Sequence, residues 1–370
     1  MTAPVTLRDV ARAAGVSPAT ASRALAASGS TSTDRRAQVH RAARELGYRP
    51  NRAARELITG RTGNLCLVVP DLENPFFAAV AKAVQSRARA AGYAVFVADS
   101  EEDPHLETEL VTQLGAQADG VILCAPRMSE TALTRLSAGR SVVLVNREAP
   151  GVASVVVDNV DGVRQAAAHV HALGHRRVAW AGGPADSWSD RERHAGLLRA
   201  AERLPGLEVV DLGHFAPVFA GGVAAADLVA ASRATAVLAH NDLMALGILD
   251  RLRSRGTAVP GGVSVVGYDD VPAATLVSPA LTTVAVPFGR LGRAAVDTLL
   301  GLGTVAGTGR RTGAAPGRAA STAGPGSAAP AAPDRDAPAP DAADPTAPGH
   351  RLAVELVVRS STDTAPGGAP

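Results

Sequence analysis

The sequence predicts an α/β protein, a small helical head followed by a two-lobed body of parallel sheets. From Leu65 onward short apolar runs alternate with helix-compatible stretches of 10 to 17 residues. That alternation marks strands joined by crossover helices and covered on both faces. The runs are LCLVVP, YAVFVA, GVILCA, SVVLVN, ASVVVD, RRVAWAGG, TAVLAH and GVSVVGYDD. They outnumber the strands of one ordinary sheet of about five or six, so two lobes are expected. Charge divides the chain too: residues 1–61 hold eleven arginines against Asp9, Asp34, Glu45 and Glu56, a net of +7 where the whole chain carries +2. A basic head on a mildly acidic body points to a polyanion partner for the head.

Residues 5–47 read as three short helices. Thr6 stands as an N-cap with Asp9 three residues on, a capping-box spacing, between Val5 and Val10 at the staple positions; Gly15 ends the helix. Ser17 caps the second helix, with Pro18 at the first helical position, where its missing N–H costs nothing. Ser32 to Gly47 supplies the third, with Val39, Ala43 and Leu46 inward. On a helical wheel Thr20, Ala21, Ala24 and Leu25 share one arc of the second helix, and Pro18, Ala19, Ser22, Arg23 and Ala26 the opposite one. Two helices joined by the tight AGVS turn, with a third behind, form a helix-turn-helix pattern. Small residues let the second helix approach the major groove closely, and Arg23 reaches guanine O6 and N7 in a bidentate contact worth about 1–3 kcal/mol of discrimination. Read as an ordinary three-helix bundle, the same face carries Arg23 as a solvated charge, and the +7 head weighs against that.

Residues 48–61, YRPNRAARELITGR, put Ala53, Ala54 and Leu57 on one helical face with Arg52 and Arg55 off it. A helix of about eight residues is marginal alone, since its nucleation is not repaid. It suits the minor groove, where an apolar side chain wedges between base steps. The other reading is a linker with a leucine docked on the body.

At 370 residues the chain holds two or three domains, and with aromatics at 3% its core rests on Val, Leu, Ile and Ala. Lys82 is the only lysine, a bias we read as coding composition. Cys66 and Cys124 sit in apolar runs as buried thiols, not as a disulfide or zinc framework. No apolar leader and no run of about 18 apolar residues is seen, so a soluble, cytoplasmic protein is expected. Of the 46 residues from 304 to 349, 30 are Ala, Gly or Pro. Such a tract cannot offset its ordering entropy and reads as a disordered insertion. RLAVELVVRSST then reads as one last strand.

Ligands of open α/β sheets bind beyond the carboxyl ends of the strands. There the sequence offers Asp71 to Phe77, Asp99, Arg147, the 184–191 loop, Asn241 and Asp269, with Phe76, Phe77 and Phe215 as flat faces. Asp and Asn accept from hydroxyls or ring N–H groups, and Arg191 offers a planar fork. A strand-end Asp or Asn is equally a helix cap, and the phenylalanines are equally core. His169 and His171 stand about 200° apart on one helix and cannot share an ion from one face, so no metal is expected with them or His175. No nucleophile elbow, phosphate loop or dinucleotide fingerprint appears, so neither an enzyme nor a cofactor is expected.

The stretch VTLRDVARAAGVSPATASRAL, followed by ARELGYRPNRAARELITGRTGNLCLVVPDLENPFFA, resembles the lactose-repressor (LacI/GalR) family of bacterial transcription regulators. The likeness continues through LGHRRVAWAGGP, HNDLMALG, SVVGYDDV, LTTVAVPFGRLGRAAVDTLL and ELVVRSST, leaving out only 304–349. It implies a periplasmic-binding-protein-like body and Pro18, Ala19 and Arg23 as base readers. It further implies 51–58 as a hinge helix and Leu57 as the side chain inserted at the operator centre. The expected DNA-facing set is Thr6, Ser17, Pro18, Ala19, Thr20, Ser22, Arg23, Asn51, Arg52, Ala54, Arg55 and Leu57. Phe76, Arg191, Phe215, Asn241 and Asp269 fall where the family contacts its effector, and Phe77 and Arg147 complete the candidate set. Ala21, Ala26, Ala27 and Ile58 depart from the family pattern without removing a DNA-contacting group. The implied function is a homodimeric regulator, a repressor, on a near-palindromic DNA operator, governed by a small molecule, a sugar or a purine-like compound, with no membrane partner. A solute-binding protein of the same fold is the alternative, for which the basic head is surplus. The expected division is 1–47 head, 48–61 hinge, 62–160 with 287–303 as the first lobe, and 161–286 with 350–362 as the second.

Overall fold

The computed structural model describes residues 5–25, 32–48, 61–308 and 350–366. It divides into two units, Met1–Gly63 and Asn64–Pro370.

In the first unit, α1 spans Leu7–Ala13, α2 Pro18–Leu25 and α3 Thr33–Glu45. The Thr6–Asp9 capping box forms reciprocally, the Thr6 amide donating to Asp9 Oδ2 at 3.0 Å and the Asp9 amide to Thr6 Oγ1 at 3.4 Å. The Thr6 hydroxyl, donating to Asp9 Oδ2 at 2.6 Å, and after it the Thr6 amide hold the Asp9 carboxyl below its ordinary range. Gly15 and Gly47 take positive φ, +58° and +65°, where a β-carbon is unfavourable, and so end α1 and α3. Val10, Ala11, Ala14, Ala21, Ala24, Val39, Ala42 and Ala43 make the core, small enough for three helices to pack closely. Leu46, expected inward, is 37% exposed because it lies past the last turn as the C-cap of α3, and Ala42 takes the inward place. The hinge residues 51–58 lie outside the described residues.

The second unit holds two six-stranded sheets. The first contains β1 (Asn64–Val69), β2 (Ala94–Asp99), β3 (Val121–Cys124), β4 (Val142–Val145), β5 (Ala153–Val157) and the late strand β11 (His350–Leu352). Their order is β11-β5-β4-β3-β1-β2, parallel throughout. The second contains β6 (Arg177–Gly182), β7 (Glu208–His214), β8 (Ala236–Ala239), β9 (Ser264–Asp269), β10 (Thr282–Ala285) and β12 (Glu355–Val357). It repeats the order as β12-β10-β9-β8-β6-β7, with only β10–β12 antiparallel. Val, Leu and Ile fill the strands on both faces, as buried parallel sheets require.

Helices α4 (Pro75–Ala90), α5 (Pro104–Gly115), α6 (Glu130–Gly139) and α12 (Phe288–Thr308) belong with the first sheet. Helices α7 (Asn159–Ala172), α8 (Trp188–Ala201), α9 (Phe219–Ser232), α10 (Asp242–Ser254) and α11 (Ala273–Leu276) belong with the second. Polar caps start most of them at strand ends: Asn74, Asp103, Ser129, Asp158, Ser187 and Asn241 each accept a backbone N–H of the first turn.

The last strand departs from the expectation. The run from 350 to 362 is not a single strand of the second lobe. His350–Leu352 pairs with β5 in the first sheet, and Glu355–Val357 pairs with β10 in the second. The chain crosses between lobes at Ala353–Val354, where buried Val354 joins the core. Helix α12 continues to Thr308, past the point where the Ala/Gly/Pro tract was expected to begin, and 309–349 lie outside the described residues.

Candidate functional site

The two sheets bring their carboxyl ends to a shared cleft, at the places where strand order reverses between β1 and β3 and between β6 and β8. From the first lobe it is lined by Asn74, Phe76, Phe77, Glu102, Ala125, Arg127 and Asn146. From the second come Ser187, Ser189, Arg193, Pro217, His240, Asn241 and Asp269. The space among them, mouth included, is about 370 Å³. Three of these residues take positive φ at strand ends: Ala125 at +43° and Asn146 at +54° directly follow β3 and β4, and Asp269 at +115° is the last residue of β9. Non-glycine residues held there cost on the order of 1–3 kcal/mol each, and such strain gathers where a chain must aim groups at a site.

Arg193 organises the floor. Its Nε donates to Asn159 Oδ1 at 2.8 Å, one NH group donates to the His240 carbonyl, and the guanidinium lies 3.5 Å from the Tyr268 ring centroid. Asn159 Nδ2 donates onward to Asn146 Oδ1 at 3.2 Å, tying the first lobe to Arg193. The second NH group stands 3.8 Å from Asp269 Oδ1. Burial pushes the Asp269 carboxyl well above its ordinary range, and the Arg193 charge opposes that. Opposite, Arg127 sits 2.6 Å from Glu102 in its own lobe and 3.9 Å from Asp186 in the other. The loop carrying Arg127 is held by Glu107, whose Oε2 accepts the Arg127 and Met128 amides at 2.9 Å each.

Of the residues predicted from sequence, Phe76, Phe77, Asn241 and Asp269 meet in this cleft. Asn241 is also the N-cap of α10, its Oδ1 accepting the Met244 amide at 2.9 Å and its Nδ2 donating to the Pro217 carbonyl at 2.8 Å. Arg147 is buried outside the lining, donating to the Pro126 carbonyl at 2.6 Å. Phe215 packs half-buried against the second-lobe core, and Pro217 lines the cleft instead. Arg191 is exposed and donates to the Asp186 carbonyl at 3.1 Å. The arginine in the cleft is Arg193, which sequence reasoning passed over. The signal was present: Ser189, Arg193, Gly196, Leu197 and Ala200 repeat at helical spacing and are all buried, while Arg191 is about 200° from Arg193. Asp71 and Asp99 brace their own loop, accepting the Glu73 and Leu72 amides at 2.7 Å each.

The three histidines of the 169–175 stretch go to separate places. His169 meets Thr362 Oγ1 at 3.0 Å, and His171 meets the Pro205 carbonyl at 3.0 Å. His175 sits between Thr235, Ser264 and the Asp363 carbonyl at 2.8–3.1 Å.

In the head, Ala21 and Ala24 are buried while Pro18, Ala19, Ser22 and Arg23 are exposed, so α2 turns its smallest side chains and one arginine outward. Arg23 Nε donates along the helix to the Ala19 carbonyl at 3.3 Å. The hydroxyls of Thr6, Ser17 and Thr20 are engaged in caps: Ser17 Oγ accepts the Thr20 amide at 3.1 Å and lies 2.9 Å from Thr20 Oγ1. Asn51, Arg52, Ala54, Arg55 and Leu57 lie outside the described residues. Among the described residues no helix is long and apolar enough to cross a membrane.

A helix-turn-helix head and a two-lobed, cleft-bearing body on one chain define a DNA-binding transcriptional regulator. Residues 6–51 match the family described as bacterial regulatory proteins, lacI family, and residues 167–316 match the periplasmic binding protein-like domain. The HTH-type transcriptional regulator GalS of Salmonella typhimurium is 35% identical over 312 residues, 82% of this chain and 91% of that protein. The regulator CelR of Thermobifida fusca is 36% identical over 307 residues, covering 78% and 88%. Among solved structures, the lac repressor dimer bound to operator and the anti-inducer ONPF superposes with a TM-score of 0.78 at 27% identity, covering 98% of this chain and 100% of that one. A transcriptional regulator CelR–cellobiose complex superposes with a TM-score of 0.63 at 30% identity, covering 96% and 99%. The chain belongs to the LacI family of bacterial regulatory proteins.

Proposed function

We propose that the chain acts as a homodimeric repressor on a near-palindromic operator and that a neutral, hydroxyl-rich effector, a sugar, occupies the inter-lobe cleft and sets operator affinity. The base-reading face is Pro18, Ala19, Ser22 and Arg23, with Asn51, Arg52, Ala54, Arg55 and Leu57 as the hinge that joins it on DNA. The observation that carries the effector reading is that both arginines of the cleft are already engaged. Arg127 pairs with Glu102, and Arg193 is held by Asn159, the His240 carbonyl and the Tyr268 ring, so among the described lining residues no arginine stands free for a phosphate or carboxylate. What remains is a set of amides, hydroxyls and charged pairs that suits hydroxyl groups, which both donate and accept. A purine is less well served. Phe76 lies edge-on to Phe77 and Phe288, at 81° and 85°, which leaves no pair of parallel faces for a base. The CelR–cellobiose relative supports a sugar. A site of action on DNA in the cytoplasm follows from this reading.

The test is a thermal-shift screen of the full-length protein against neutral mono- and disaccharides beside their phosphates and uronic acids. Ligand at 100 times its dissociation constant stabilises by about 2.7 kcal/mol. A neutral sugar is expected to raise the melting temperature while its phosphate does not. Stabilisation by the phosphorylated form alone overturns the reading.

A further inference from the structure

In the wall of the cleft lies a buried acid–imidazole pair, Asp190 and His240. Asp190, in the first turn of α8, is 1% exposed, and His240, at the end of β8, is 6% exposed and lines the cleft. Asp190 Oδ1 is 2.8 Å from His240 Nδ1 and also accepts the Gly183 amide at 2.7 Å. On its other oxygen, Oδ2, His214 Nδ1 stands 3.6 Å away, and that same nitrogen is 2.8 Å from the Gly183 carbonyl. Gly183 matters sterically, since a β-carbon there would fall 2.6 Å from the His240 ring. The ring is therefore clamped on its Nδ1 side. Its Nε2 has no protein partner among the described residues and is not sealed from the cleft.

We propose that His240 is a specificity-determining residue of the cleft and that Asp190 is its positioning residue, holding the imidazole as the Nδ1–H tautomer so that the Nε2 lone pair faces the effector. This rests on reading the cleft as the effector site. The His240 side chain then accepts, and the effector must donate a hydroxyl or N–H at that point; an ether or deoxy position leaves the lone pair unmatched. The ionisation states agree. Burial pushes the His240 imidazole below its ordinary range, and the His240 bond leads the interactions that hold the Asp190 carboxyl down despite its own burial. Asp190 thus serves as the acceptor and Nδ1 carries the proton.

The test combines ring nitrogen NMR with ligand binding on the full-length chain. Spectra of histidine-labelled protein, assigned with His240→Gln, should show His240 as the Nδ1–H tautomer in the unliganded protein. Asp190→Asn retains an acceptor and should keep that state, whereas Asp190→Leu should lose it. His240→Asn preserves a donor toward Asp190 and removes the Nε2 acceptor. It should weaken the best-binding neutral sugar about tenfold or more while leaving one monodeoxy analogue of that sugar unaffected. An Nε2–H tautomer in wild-type protein, or equal sugar binding by His240→Asn, overturns the proposal. So does unchanged tautomer and affinity in Asp190→Leu. If no sugar binds wild-type protein, the sugar reading of the cleft fails, and the ring spectra alone still decide the state of His240.

Discussion

Two arginines two positions apart on α8 have opposite fates, and the difference decides where the cleft gets its fork. Arg193 is buried and joins Asn159, His240, Tyr268 and Asp269, while Arg191 is exposed and donates to the Asp186 carbonyl of its own loop. Arg193→Lys retains the charge but not the planar pair of donors, so effector affinity should fall at least about tenfold with the fold intact. Arg191→Ala should leave binding within about twofold, since its contact to the Asp186 carbonyl is at the surface. Isothermal titration with the sugar found by thermal shift checks both. Glu107 makes a separate prediction. Burial pushes its carboxyl up to about 7 from 4.5, so the folded chain holds that proton to higher pH than the unfolded chain does. Its contribution to stability therefore falls as pH rises from 4.5 to about 7 and stays low above that. Glu107→Gln keeps an oxygen for the Arg127 and Met128 amides, so urea unfolding at pH 5 and pH 8 should show a smaller loss on going alkaline than in wild type. An identical loss in both proteins contradicts the assignment. Asp242, also buried and raised to about 7, leaves part of the slope in place.

Among the elements, α9 and α10 cross at unusually close range because each offers a glycine to the other's backbone. A β-carbon on Gly222 would lie 2.0 Å from the Met244 carbonyl oxygen, and one on Gly247 would lie 2.1 Å from that of Phe219. Neither obstacle is a side chain that can rotate away. Gly247→Ala should cost about 1–3 kcal/mol by denaturant midpoint, as overpacking in a tight core does, and outweigh alanine's better helix propensity. The eight apolar runs from LCLVVP to GVSVVGYDD mark eight strands of the sheets, because buried parallel strands spell themselves in Val, Leu and Ile. Two others were not legible. β7 is an edge strand whose residues are half-buried or exposed, and β10 is written with Thr282 and Thr283, polar letters that are fully buried here. The tail reads as one run because periodicity cannot reveal that the chain changes sheets at Ala353–Val354. For the cleft, strand-end reasoning found Asp269 and Phe76 but took Arg147 where Asn146, the last letter of SVVLVN, lines the site, and Arg127 sits in a loop turned by the positive φ of Ala125, which composition does not show.

At the scale of the whole molecule, one chain carries both a cationic head and a ligand cleft without a free arginine among its described lining residues. The eleven arginines of residues 1–61 imply phosphate contacts, so operator affinity should fall steeply with salt. Leu57→Ala should cost operator affinity and reduce preference over non-specific duplex, because an apolar wedge earns its contacts only where DNA kinks. The sharpest single measurement is an anisotropy titration of full-length protein on a duplex it selects from a randomised pool, with the cleft empty and with it saturated by the sugar found by thermal shift. Coupling free energies of about 1–3 kcal/mol imply that operator affinity shifts about five- to 150-fold between the two conditions, and that Arg193→Lys needs more sugar to reach the same shift. Operator affinity that is the same with the cleft empty and filled would contradict the account.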